Sequence, residues 1–406
     1  MISRTISLLS SEPFRVFFPL GLFLGTAGVM LWPLYVGHVI HYYPGTSHVR
    51  LMIEGLMGSF IIGFLGTAGP RLLETTPFRA VETFTLLGLQ LLSALFHFLR
   101  KQAAGDVVFL SLLLLFLCLV GWRVRNKTKQ VLPPPSFVLV LTGYGCAVVG
   151  IGLTIVASTT GNAPLFASQL GALMLNEGFV LLPILGVGAF FLRKLLGGAR
   201  PDPTDLEIPA IIWRKKAGIA AIAAILILVS FALEAADWIR AGAALRGLTA
   251  LVFFTTQGRL LQKPIGPAFL ARCFRLGFLL IIVGLLLPIV LTPYRVANLH
   301  VTFLGGFCIV LFTVSTRVIV GHSGQTHLFQ RRMPFLIVAL ILLLLAMSTR
   351  VAADFAAPIR NSHLAYAAFI WTGAAIAWAW ALFPKLLVAE AHPPSNDQLD
   401  PTRGNR

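Results

Sequence analysis

Charge is scarce in this chain. Only 12% of its 406 residues are Asp, Glu, Lys or Arg, about half the share of an ordinary soluble domain. Acids are scarcer than bases, 15 against 32. A soluble core could not absorb 57% hydrophobic residues at a mean hydropathy of +0.85, so the solvent implied is a bilayer. Cysteine is scarce too: Cys118, Cys146, Cys273 and Cys308 lie far apart. Without a C-x-x-C pair there is no thiolate zinc knuckle, and without C-x-x-C-H no covalent haem attachment. No H-E-x-x-H element is present, and GVGAFF at 186–191 lies inside an apolar run rather than after a strand, so no dinucleotide fingerprint is present either. No Lys/Arg stripe interleaves with aromatics, which excludes nucleic acid as the reason for the net charge of +17. The N-terminus carries no cleavage-type signal, and the first apolar run reads as a retained anchor.

What is present is a series of apolar runs near the length that crosses a bilayer, about 20 residues. Twelve are expected, near 17–38, 51–70, 81–99, 107–122, 136–158, 168–192, 217–236, 241–257, 270–291, 300–320, 335–352 and 364–384. The fold class is therefore all-α, a polytopic integral membrane protein in one domain (1–390) with a polar tail at 391–406. Twelve crossings put both termini on one side. Twenty-four of the 32 Lys and Arg then fall on that side, with the largest group in the central loop near 193–216, and eight on the other. A three-to-one bias in strict alternation marks the termini as cytoplasmic.

That orientation sorts the nine histidines. His38, His41 and His48 sit in or beside the first outer loop, His97 ends the third span, His300 opens the tenth, and His363 lies in the last outer loop. His322 and His327 fall at the inner face, and His392 in the tail. Imidazole ligates haem iron and copper without bringing charge into a low dielectric. Several helix ends meeting at the outer boundary could thus build a metal site from His48, His300, His41, His38 and His97. A solvated or hydrogen-bonded interfacial histidine is the plainer reading for any single one. Two carboxylates lie inside spans, Glu54 and Glu177. A buried acid is costly unless protonated or paired, so both are candidates for proton handling. Arg317 either snorkels or binds an anionic group such as a haem propionate. His48-Val and His300-Val each precede a glycine-containing span, a faint sign of duplication.

Three stretches carry a resemblance: PFRVFF at 13–18, HVRLMIEGLMGSFIIGFLGTAGP at 48–70, and His300 followed by a helix and TRVIVGHSG at 316–324. Together with the helix count they resemble the NnrS family of membrane proteins linked to nitric oxide response. The resemblance implies a haem- and copper-containing protein of the bacterial inner membrane acting in nitric oxide metabolism or tolerance. It carries over His48, His300, Arg317 and, as a cofactor-binding residue, His322. The family's second histidine is Arg50 here, and its glutamate is Leu51. Glu54, about one turn beyond Leu51, is the residue that could compensate. The implied partners are the lipid bilayer, nitric oxide or another small neutral ligand, and a quinol or other electron donor. Two alternatives stand beside this reading. One is a twelve-span transporter using Glu177 and Pro183, with six spans on each side of the basic central loop. The other is a membrane subunit whose metal ligands have been lost.

Overall fold

The computed structural model describes residues 2–127, 131–160, 163–196, 209–263 and 268–388; the tail beyond 388 and much of the expected central loop lie outside them. Among the described residues the chain forms thirteen helices and no strand. An amphipathic α1 (Ile2–Ser11) leads into α2 (Phe14–Val36), α3 (Gly45–Leu72), α4 (Ala80–Phe98) and α5 (Gln102–Arg125). Then follow α6 (Phe137–Thr160), α7 (Leu165–Arg193), α8 (Ala210–Ala235) and α9 (Ile239–Thr256). The last four are α10 (Phe269–Ile289), α11 (Thr292–His322), α12 (Pro334–Phe355) and α13 (Ala357–Leu387).

Eleven of these are long and apolar enough to cross a membrane; α9 falls outside that set because Arg240 and Arg246 dilute its hydropathy. The chain ends settle its status. Arg15, at the start of α2, donates from Nη1 to the carbonyls of Leu386 (2.5 Å) and Val388 (3.0 Å) and from Nη2 to that of His322 (3.2 Å). The two ends of the chain therefore meet at one end of the bundle. An odd number of crossings would part them, so α9 is the twelfth. The helices also begin earlier than hydropathy alone indicates. α3 starts at Gly45 and α11 at Thr292, which places His48 and His300 a turn or more inside their helices rather than at their mouths. Thr46, Ser47 and Arg50, or Arg295 and Asn298, lower the local hydropathy without breaking the helix, because the buried ones, Ser47, Arg50 and Asn298, find polar partners within the bundle.

One arrangement recurs three times. In α2–α5, α6–α9 and α10–α13 the first helix packs on the second and the third on the fourth; neighbouring quartets join through α5 on α6, α9 on α10 and α13 back onto α2. The second helix of each quartet is the most enclosed: over its apolar 18-residue stretch 78%, 67% and 72% of the residues are buried in α3, α7 and α11, and the corresponding stretch of no other candidate span exceeds 61%. These three central helices run in the same direction. Each also opens into a wider π turn, at Leu51–Met57, Met174–Gly178 and Val301–Cys308. Such turns cost regular hydrogen bonding and concentrate at functional sites. Small residues allow the close packing that membrane helices depend on. A Cβ on Gly306 would stand 2.4 Å from Ile281 of α10, and one on Gly178 would stand 3.0 Å from Cys146 of α6, so in both quartets the π-turn glycine admits the first helix.

The terminal end is tied by one carboxylate. Glu12 accepts from Arg15 Nε (2.6 Å), Arg71 Nη2 (2.5 Å) and His322 Nδ1 (2.8 Å). Burial by itself would raise the Glu12 pKa, but His322 and Arg15 outweigh it and hold the group below its ordinary value of 4.5. A depressed acid stabilises the fold fully above its unfolded pKa and loses that contribution as pH falls through the folded one. The wild-type melting temperature is therefore expected to fall below about pH 4.5, and Glu12→Gln to melt lower near neutrality with a flatter acid limb. Equal acid limbs in thermal melts of the two proteins would refute this.

Candidate metal centre

His48 lies one turn into α3. Its Nδ1 is 3.0 Å from the Gly28 carbonyl of α2, and the Trp32 ring meets it edge-on at 5.7 Å. His300 precedes the π turn of α11, with Nδ1 2.7 Å from the Val296 carbonyl. A carbonyl can only accept, so both imidazoles carry their proton on Nδ1. Each Nε2 then keeps its lone pair, and the ring is held by the bond behind it. This is how metal-binding histidines are oriented in general.

Both imidazoles line one cavity of about 290 Å³ enclosed by α2, α3, α7, α11, α12 and α13. All three π turns reach it, through Met52 and Ile53, Asn176 and Glu177, and Phe303 and Leu304. Its walls are mostly apolar, and its charged groups are Glu177, Arg295 and Arg350. Arg350 donates from Nη1 to Asp354 Oδ1 (3.0 Å). Glu177 Oε2 lies 3.4 Å from Arg246 Nε and has no hydrogen-bond partner; Asn176 Oδ1 and Trp371 Nε1 have none either. Arg246 donates from Nη2 to Glu234 Oε2 (2.7 Å), and Glu234 Oε1 is 3.0 Å from Arg295 Nη2. Charges of alternating sign thus run from Glu177 through Arg246 and Glu234 to Arg295, which is half-exposed and borders the same cavity. Unpartnered buried polar atoms are rare in a finished core, and the three on Glu177, Asn176 and Trp371 belong to residues that line the cavity the two imidazoles share.

His97 belongs elsewhere. It is buried between α3, α4 and α5, where one ligand atom each from His97, Glu54 and Asp106 lies within 4.8 Å of the others. His97 Nδ1–H donates to Gln102 Oε1 (2.8 Å), so the 2.9 Å contact between its Nε2 and Glu54 Oε2 requires a proton carried by the imidazole or the carboxyl. Arg50 Nε approaches Asp106 Oδ1 at 2.8 Å and Glu54 Oε1 at 3.4 Å, and its Nη2 donates to Asp106 Oδ2 (2.9 Å). One guanidinium and one proton neutralise two carboxylates, the balance a low-dielectric interior requires. Gly105 makes room for the ring: a Cβ there would stand 2.4 Å from it.

Of the residues singled out by sequence, the structure unites His48, His300 and Glu177, and separately His97 with Glu54. His38 and His41 are exposed on the α2–α3 connection, His38 with a left-handed φ of 56°. His322 is at the opposite end of the bundle on Glu12, and Arg317 stacks there on Phe329 at 3.6 Å. Sequence reading passed over Arg246, Arg350, Asp106 and Glu234. Arg246 was within reach of the rule that flags intramembrane charge; the others stand at span edges, where charge is ordinary.

A dozen crossings in three quartets, with two imidazoles facing a mostly apolar cavity, define a polytopic helical membrane-protein architecture. The chain is similar to a solved heme-copper terminal oxidase, a dimer seen by cryo-EM, with a TM-score of 0.61 at 15% identity over 97% of this chain and 85% of that one. That likeness is one of fold. The family model described as NnrS protein matches residues 8–389, and the chain belongs to the NnrS family. Among curated proteins none matches it.

Proposed function

We propose that this protein is a haem- and copper-binding membrane protein that binds or turns over nitric oxide, with His48 and His300 as the metal ligands. The observation that carries the reading is the pair itself. Two histidines on separate quartets each bond a carbonyl through Nδ1 and line the same cavity. The donor set fits the cofactors. Neutral imidazole suits both copper and haem iron, and apolar walls suit a porphyrin face. Arg295 and Arg350 are placed to pair with propionates. The cavity volume lies at the lower edge of the usual range for small-ligand sites, about 300–1,000 Å³. When bound, the metal supplies an open coordination position for a diatomic ligand.

The protein's own residues do the rest. Gly28 and Val296 hold the tautomer, and Phe303, Leu304 and Leu364 exclude water. Glu177, on the cavity wall, and Glu54, behind it with His97, are the groups we assign to proton handling. Membership of the family, together with the basic bias of the terminal side, supports placement in a bacterial inner membrane with cytoplasmic termini. Electrons would come from a quinol or a protein donor, since no flavin or nicotinamide fingerprint is present.

The test is an absorption spectrum of the purified protein before and after nitric oxide. A Soret band that shifts is expected; a colourless protein unaltered by the gas would overturn the reading and favour transport. The Glu54 carboxylate faces His97 and Arg50, so Glu54→Gln is expected to purify with wild-type haem and copper. Elemental analysis showing a clear loss of metal would instead make Glu54 a ligand that replaces the missing glutamate at Leu51.

A further inference from the structure

Below the histidine cavity, toward the chain termini, the same three central helices border a second space of about 80 Å³. Met57 lines both cavities. Around the lower one stand Phe60, Ile184, Val187 and Val314, together with Phe18 and Phe274 from the first helices of their quartets. Ser315 is the one polar side chain on its wall, and its hydroxyl donates to the Leu311 carbonyl at 2.6 Å. The wall therefore offers no free donor. A water needs two to four polar partners, whereas apolar cavities of about 150 Å³ stay dry and take up xenon or benzene.

We propose that this lower cavity is a holding site for small, uncharged, apolar molecules, the class to which nitric oxide belongs, stacked directly beneath the histidine cavity and parted from it by Met57. Charge, size and dryness each narrow the guest. An ion would lose its hydration with nothing in return. A lipid tail is disfavoured by size: Phe18, Phe60, Val187 and Phe274 are buried, and although Ile61, Ile184, Leu311 and Val314 are half-buried, the space of about 80 Å³ is too small for an acyl chain. A gas that partitions into the bilayer pays neither cost. The naming of nitric oxide rests on the proposed function; the site for an apolar gas does not, because no metal takes part in it.

The experiment uses xenon on the full-length protein, stripped of metal, in crystals pressurised with the gas. A xenon peak is expected between Met57, Ile184 and Val314. Ile184→Phe should remove it, and Ile184→Ala, which enlarges the space, should raise its occupancy. If the Phe variant does not fold, the Ala variant still decides. Absence of xenon from both wild type and Ile184→Ala would overturn the proposal, as would ordered water or an acyl chain in the space. Because the protein is metal-free, a failed haem or copper analysis leaves this result untouched. In wild-type crystals exposed to nitric oxide after xenon, a reduced xenon peak would extend the site to nitric oxide; an unchanged peak would limit it to other apolar gases and overturn that naming.

Discussion

His48→Ala and His300→Ala are each expected to purify with bound metal reduced more than about tenfold, since even the outer partners of metal ligands are worth about 10–100-fold in affinity. Both side chains are only partly enclosed by protein because they border the cavity, so truncation removes a donor without opening a packed core. Each variant should therefore remain monodisperse and helical. Exogenous imidazole, small enough for the enlarged cavity, should restore part of the load. His38→Ala and His41→Ala are the controls, being exposed and outside the cavity, and should bind as wild type does. Equal metal in all four variants would exclude the pair as ligands. The same four variants distinguish a working site from a decayed one: if haem and copper added to the wild type fail to bind, truncating either histidine changes nothing.

The second large effect is expected at Arg246. It is 2% exposed and stands between Glu177 and Glu234, with the 2.7 Å bond to Glu234 as its main anchor. Arg246→Met keeps most of the volume and leaves Glu177 buried without its cation and Glu234 with Arg295 alone. Breaking a buried pair in this way costs about 3–5 kcal/mol. Glu177→Gln combined with Arg246→Met should recover part of the loss, because the coupling between neighbours is not additive. Denaturation of the detergent-solubilised protein reads both. A single variant as stable as wild type would mean that Arg295 alone satisfies Glu234. Even where Arg246→Met folds, Glu177 loses the contact that orients it on the cavity wall.

Much of the fold was legible because bilayer crossings announce themselves by length and hydropathy, and because loop charge alternates. The spans expected at 51–70 and 300–320 are there, but hydropathy misplaced their openings. Arg50 and Arg295 read as loop residues on a scale blind to Asp106 and Glu234 across the bundle. The quartet repeat left only a faint trace in His48-Val and His300-Val. A further trace is visible in retrospect: Glu54-Gly55, Glu177-Gly178 and Gly305-Gly306 each mark a π turn. Of the site, sequence reached the residue types but not their grouping. Six histidines expected at one boundary divide into two on the cavity, one in the Glu54 cluster, two on an exposed connection and His363 beside Tyr366. Which helix faces which is decided by packing between quartets, and no local pattern encodes it. Arg50, a lost ligand when read against the family motif, is in the structure the counter-ion of Asp106 and Glu54.

The most direct measurement is a combined haem, copper and iron analysis of wild-type protein purified in mild detergent, paired with X-ray absorption at the metal edge. Stoichiometric metal with imidazole scattering that vanishes in His48→Ala or His300→Ala is the predicted result. Metal-free protein that takes up neither haem nor copper, or a bound metal whose scattering is unchanged in both variants, would contradict a shared centre at these two residues.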